Sequence, residues 1–225
     1  MNEKEGIRLI PSFYLETVKG STRPCGNFSG GRPMAANYFN YTEPIRAVCS
    51  DMVFRLPVFS QIRMENVAVS LGRTRRNDMY GVYASMTPLR FKGGELRGKR
   101  NNRLLEIHPL YDKERRPILY VLSIYIPRFV NLPIREKIDT LIHELYHISP
   151  SFDGSLRSFG GRFYAHGASQ KEYNRKVSAL SRQWLSGDPR PELWDFLRYD
   201  FKTLCERYGG LTGETVRIPP LKVIR

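Results

Sequence analysis

The sequence predicts an α+β fold, with helices packed on one face of a mixed sheet. Three stretches carry that expectation. Ile134, Ile138, Leu141, Ile142, Leu145 and Ile148 fall at i, i+4, i+7, i+8, i+11 and i+14, the apolar stripe of an amphipathic helix. Residues 118–126, Ile-Leu-Tyr-Val-Leu-Ser-Ile-Tyr-Ile, form the strongest strand signal in the chain. Ile45, Val48, Cys49, Met52, Val53 and Leu56 repeat the helical rhythm a second time. A length of 225 residues, 41% of them hydrophobic, permits one domain with a sizeable core.

The remaining elements follow in order. Residues 1–41 are rich in Gly, Pro, Ser and Asn and read as an irregular arm; residues 42–225 read as the domain. Thr42 can cap a helix over 43–56, and Pro57 stops it. Val67, Val69 and Leu71 alternate as in a strand, and 80–86 reads as a second. A turn with Arg73, Arg75 and Arg76 joins them. A glycine-punctuated basic loop follows, with Arg90, Lys92, Arg97, Lys99, Arg100 and Arg103. Pro117 and Pro127 bracket the 118–126 strand, which favours one free edge. Asn131 and Pro133 start the next helix, and Pro150 ends it. After a loop over 149–165, Ser169 and Glu172 have capping-box spacing. Tyr173, Val177, Leu180 and Trp184 then line one helix face. A further helix over 191–208 brings aromatics to the core, and 215–218 and 221–224 read as short terminal strands.

The chemistry is concentrated in His143-Glu144-Leu145-Tyr146-His147, an HExxH pattern. Residues four apart on a helix stand on one face, so the two imidazoles can share one metal ion. They lie roughly opposite Leu145, so the apolar stripe can be buried while the imidazoles face a cleft. Zinc suits two neutral imidazoles plus one more protein ligand and a water. It lowers the pKa of that water to about 7. Glu144 is placed to take the water's proton and pass it to a leaving amine.

Three residues compete to be the third ligand. His166 is the one histidine after the motif. Asp153 sits where a metzincin places its last ligand, but Pro150 replaces the required glycine and no methionine follows position 86. Glu172 lies on a downstream helix, yet the capping box already accounts for it. His108 reads as a packed or surface histidine. Arg157, Arg162, Tyr164 and Tyr173 could each reach the cleft and stabilise an oxyanion.

The net charge is +14 and the pI about 9.9, which predicts an anionic partner. From 73 to 103 nine basic residues against two acidic ones give +7, half the chain's excess. Arg73, Arg75, Arg76, Lys92, Arg97, Lys99 and Arg100 are accordingly candidates for contact with DNA or RNA phosphates. Cys25, Cys49 and Cys205 are odd in number and widely spaced, suggesting neither a disulfide framework nor a zinc ribbon. Cys49 falls on an apolar stripe and reads as core. No apolar run follows the charged start, so neither a signal peptide nor a membrane partner is expected, and the expected location is cytoplasmic.

The run from His143 to Tyr173, HELYHISPSFDG followed by GGRFYAHGASQKEY, resembles the putative phage metallopeptidases. It is more distantly similar to SprT-like (Spartan) proteases. The closer likeness covers about 118–175. This resemblance implies a minimal zincin-like fold with an edge strand over the metal cleft, and a bacterial or phage origin. It implies His143, His147 and His166 as zinc ligands and Glu144 as catalytic acid/base. The implied activity is zinc-dependent hydrolysis of a protein or peptide substrate. SprT-like proteins act on proteins at DNA, but the C-terminal zinc ribbon frequent among them is missing here. The alternative from the residues alone is a non-enzymatic basic module that binds nucleic acid, its metal structural or vestigial.

Overall fold

The computed structural model describes residues 38–73, 81–158 and 170–224. In chain order they form β1 (Phe39–Asn40), α1 (Thr42–Arg55), β2 (Val67–Arg73), β3 (Ala84–Pro88), β4 (Arg97–Arg100), β5 (Arg103–Glu106), β6 (Leu110–Tyr111), β7 (Pro117–Ile118), β8 (Tyr120–Ile126), α2 (Ile134–Tyr146), α3 (Gln170–Ser186), α4 (Pro191–Trp194), α5 (Phe201–Tyr208), β9 (Leu211–Thr212) and β10 (Lys222–Ile224). The architecture is α+β, with small mixed sheets. The described end of the expected arm is part of the domain: Phe39 and Asn40 pair in parallel with β9, and Tyr41 is fully buried.

β8 is the middle strand of a three-stranded sheet, parallel to β2 and antiparallel to β3. This corrects the expectation that 118–126 has a free edge. The flanking prolines lie outside the Tyr120–Ile126 ladder and remove no hydrogen bond from it. Among the described residues the open edge belongs to β3. The other edge, on β2, is covered by the C-terminal segment: Leu71 N–H donates to the Glu214 carbonyl at 2.7 Å, and Val216 N–H to Ser70 Oγ at 2.9 Å.

Strand alternation sorts the side chains onto two faces. Val69, Leu122 and Met86 share one cross-strand row, and Leu71, Ile124 and Ala84 the next. These rows are buried against Ile45, Met52, Ile138, Leu141, Ile142 and Leu145 of α1 and α2. On the opposite face Ala68 and Val121 meet Leu89, Leu110 and Ile118 in a smaller apolar cluster. The helices therefore lie on one face, as the apolar stripes require. Cys49 is fully buried in this core, and burial pushes its thiol up to about 12.

Other features differ from the sequence reading, among them the expected strand over 215–218, where no strand forms, and the second strand, which runs over Ala84–Pro88. The expected basic loop contains a hairpin, β4–β5, extended by β10 into a second three-stranded sheet. Its turn is Asn101-Asn102, with φ of 49° and 58°, the left-handed pair that a tight hairpin needs. The expected helix over 191–208 is broken: Tyr199 is extended, and Asp200 caps α5 by accepting from Thr203 N–H at 2.7 Å. Cys205 is disulfide-bonded, which the spacing of the cysteines did not suggest.

Lys137 is 1% exposed, on the core side of α2. Its ammonium donates to the Leu197 and Tyr199 carbonyls, both at 2.8 Å. It thereby ties α2 to the chain reversal before α5. Burial lowers its pKa to about 8, against the pull of Asp200. No helix among the described residues is long and apolar enough to cross a membrane.

Candidate metal centre

α2 supplies the centre. Its stripe of Ile138, Leu141, Ile142 and Leu145 is almost wholly buried, which fixes the rotation of the helix about its axis. His143 and His147 then emerge together at the rim, both half-buried. Their ring centroids lie 4.8 Å apart. One ligand atom from each of His143, Glu144 and His147 lies within 4.8 Å of the others. Two nitrogens that share a tetrahedral zinc stand about 3.4 Å apart, so a small side-chain rotation suffices. The donor chemistry also fits, since imidazole nitrogen is a preferred zinc ligand. His147 closes the helix with φ −71° and ψ −19°, still helical, so the four-residue spacing survives at the helix end.

Glu144 is 7% exposed. Burial pushes its carboxyl up to about 7, although a hydrogen bond from the Met86 backbone N–H favours the charged form. That bond comes from the open edge of β3. Tyr125 N–H donates to the Tyr83 carbonyl, and Leu89 N–H to the Leu119 carbonyl, both at 2.9 Å. The odd-numbered residues of this strand thus turn their backbone toward β8. Ala84, Met86 and Pro88 turn theirs outward. A cleft of about 380 Å³ lies alongside, lined by Tyr83, Ala84, Thr140, His143, Glu144 and Asn174 among others.

Tyr173 of α3 packs against both imidazoles. Its ring stacks on His147 at 5.6 Å with a 25° tilt, and meets His143 edge-on at 4.8 Å. Its hydroxyl donates to the His143 carbonyl at 3.1 Å. Burial, reinforced by Glu144, pushes the phenol well above its ordinary pKa. Arg157 holds the end of α2: its N–H donates to the His147 carbonyl at 2.7 Å and its Nε to the Tyr146 carbonyl at 2.8 Å. The guanidinium lies 4.3 Å from the Tyr146 ring centroid. A cation at this position also complements the helix dipole.

The loop after α2 is closely tied. Tyr120 Oη donates to the Ser155 carbonyl at 2.8 Å and accepts from Gly154 N–H at 3.0 Å. Asp153 accepts from Ser155 Oγ at 2.7 Å and from Gly93 N–H at 2.9 Å. Burial alone would raise the Asp153 pKa, but these bonds outweigh it and hold it near 2. Asp153 is therefore a loop anchor. Glu172 is exposed and pairs with Lys176 at 3.2 Å. Among the described residues the metal-capable group is His143, Glu144 and His147, and neither Asp153 nor Glu172 joins it. His166, the other candidate for third ligand, lies outside the described residues, as do Arg162 and Tyr164. His108 is exposed, near Glu106 rather than the centre.

The basic candidates divide. Arg73 ends β2 and Lys92 precedes the hairpin that carries Arg97, Lys99 and Arg100; Arg75 and Arg76 lie outside the described residues. Arg73 is level with Ile126, and Pro88, from which the hairpin departs, is level with Tyr120. The two groups thus leave opposite ends of a seven-residue strand, about 20 Å apart at 3.3 Å per residue.

Sequence reasoning missed the double contact of Tyr173 and the anchoring by Arg157. Both read from the sequence as cleft residues able to stabilise an oxyanion, and nothing in the local sequence marks either for the contacts it makes. Comparison with protein-family models, curated proteins and solved structures finds no match to this chain.

Proposed function

We propose that this chain is a zinc-dependent metallopeptidase of zincin-like design. The observation that carries the reading is the convergence of His143, His147 and the buried Glu144 beside an open strand edge. His143 and His147 would hold the ion, with His166 as the proposed third ligand. Bound there, zinc would supply Lewis acidity and lower the pKa of a water molecule to about 7.

The chain's own residues account for the rest. An extended peptide lies along β3, pairing with the outward backbone of Ala84 and the carbonyls of Met86 and Pro88. Glu144 takes a proton from water as the water oxygen bonds to the peptide carbonyl carbon. When the C–N bond breaks, the same carboxyl returns that proton to the leaving amine. Tyr173 and Arg157 keep the imidazoles and the helix end in place.

The test is a paired measurement of zinc content and cleavage of a mixed peptide library. The wild type binds one zinc and cleaves; Glu144→Gln binds zinc and does not cleave. Cleavage that survives both chelation and Glu144→Gln would refute the proposal.

A further inference from the structure

We propose that the β4–β5–β10 sheet is a nucleic-acid-binding arm that grips the phosphate backbone through Lys99, Arg100, Arg103 and Lys222. This surface is independent of the metal centre and of the peptidase reading.

The arm has a dry face and a wet face. On the dry face a Cβ at Gly98 would stand 2.4 Å from the Phe91 ring, and Leu105 beside it is 8% exposed, whereas Val223 of β10 in the same row is 53% exposed. The register places Arg97, Glu106 and Lys222 in one row and Lys99, Leu104 and Ile224 in the next, both on the other face. Arg97, Lys99, Leu104 and Lys222 are exposed there; Arg100 and Arg103 fall by alternation on the face of Gly98 but flank the Asn101-Asn102 tip, where both are exposed. Five cations thus share three strands with a single carboxylate, Glu106. Glu106 is taken by Arg97 at 2.8 Å. Among the described residues no carboxylate forms an ion pair with Lys99, Arg100 or Arg103.

A surface with three cations that no carboxylate pairs, and Lys222 sharing Glu106 with Arg97, complements a polyphosphate. Arginine at the tip adds planar, bidentate donors that match phosphate oxygens. The β4–β5 tip, which extends past the last β10 pair at Leu104, is a two-stranded ribbon, of a width that can enter the major groove of a duplex. An anionic membrane is the less favoured occupant, because the two large apolar side chains exposed on these strands, Leu104 at 39% and Val223 at 53%, lie on opposite faces and form no common apolar patch. The root of the arm is rigid: Arg90 N–H donates to the Gly154 carbonyl at 3.0 Å, and Asp153 holds Gly93. The cations are therefore carried on a fixed support.

The experiment titrates the full chain with a 20-base-pair DNA duplex, the matching RNA duplex and phosphatidylserine vesicles over a range of salt. Three proteins are compared: wild type, the arm variant K99S/R100S/R103S, and the control K113S/R182S/R190S, which removes exposed cations elsewhere. The expected result is salt-dependent binding of a duplex by wild type and control. In the arm variant the slope of log K against log salt should fall by roughly 2.7, at about 0.9 per lost phosphate contact. Circular dichroism should show all three folded, since every substituted side chain is exposed. Equal losses in arm and control variants would overturn the proposal, as would binding to vesicles alone or to none of the three.

Discussion

Replacing Glu144 with glutamine should stabilise the metal-free protein, and only above acidic pH. The carboxyl is 7% exposed and its folded pKa is about 7, against an ordinary value of 4.5. Between those values the folded protein holds a proton that the unfolded chain has released. Unfolding free energy therefore falls as pH rises through this window. Below pH 4.5 both states are protonated and there is no penalty. Above pH 7 the full cost of the buried charge applies, about 3 kcal/mol at 1.36 kcal/mol per unit. Glutamine cannot ionise, and its Oε1 can still accept the Met86 N–H. At about 2–4 °C per kcal/mol for a chain of this size, Tm of Glu144→Gln should exceed wild type by about 6–12 °C at pH 8. At pH 4 the two should coincide. Thermal melts with EDTA at both pH values measure this, and the histidines are common to both proteins. A gap that does not change with pH, or a variant less stable at pH 8, would refute the reasoning.

Further outcomes follow from the contacts of Tyr173 and Lys137. Tyr173→Phe keeps both ring contacts and should leave zinc affinity within a few-fold of wild type. Tyr173→Leu removes the ring and should weaken it about 10–100-fold, the usual effect of losing a partner that orients a ligand; competition with a chromophoric chelator reads both. Lys137→Ala should cost about 2–4 kcal/mol in urea unfolding, because two buried carbonyls lose their donor. Wild type should also gain stability as pH rises from about 8 to 10.5, because its depressed lysine pKa means the folded state sheds its proton first. Lys137→Ala should lack that rise.

What could be read from the sequence was the periodic and the chemically loaded. α1 and α2 run over Thr42–Arg55 and Ile134–Tyr146, close to their stripes, and HExxH spacing alone placed His143 and His147 together. The order of strands in the sheet was not readable. An apolar strand with prolines beyond its ends suits a central or an edge position equally, and only the pairing with β2 and β3 decides. The β4–β5 hairpin was hidden because Arg-Gly-Lys-Arg is exposed and has no apolar alternation; its one local sign was Asn101-Asn102. The break before α5 rests on a single cap at Asp200. Nothing in the sequence marks Lys137 as buried. Its partners are carbonyls 60 and 62 positions away, beyond any local pattern.

The account turns on whether the imidazoles of His143 and His147 share an ion. Anomalous diffraction at the zinc edge from crystals grown with zinc tests this directly. The predicted result is one strong peak about 2.0–2.1 Å from a nitrogen of each ring, beside the Glu144 carboxyl and absent in His143→Ala. No peak between those rings in the folded wild-type protein, or a peak that persists in His143→Ala, would contradict it.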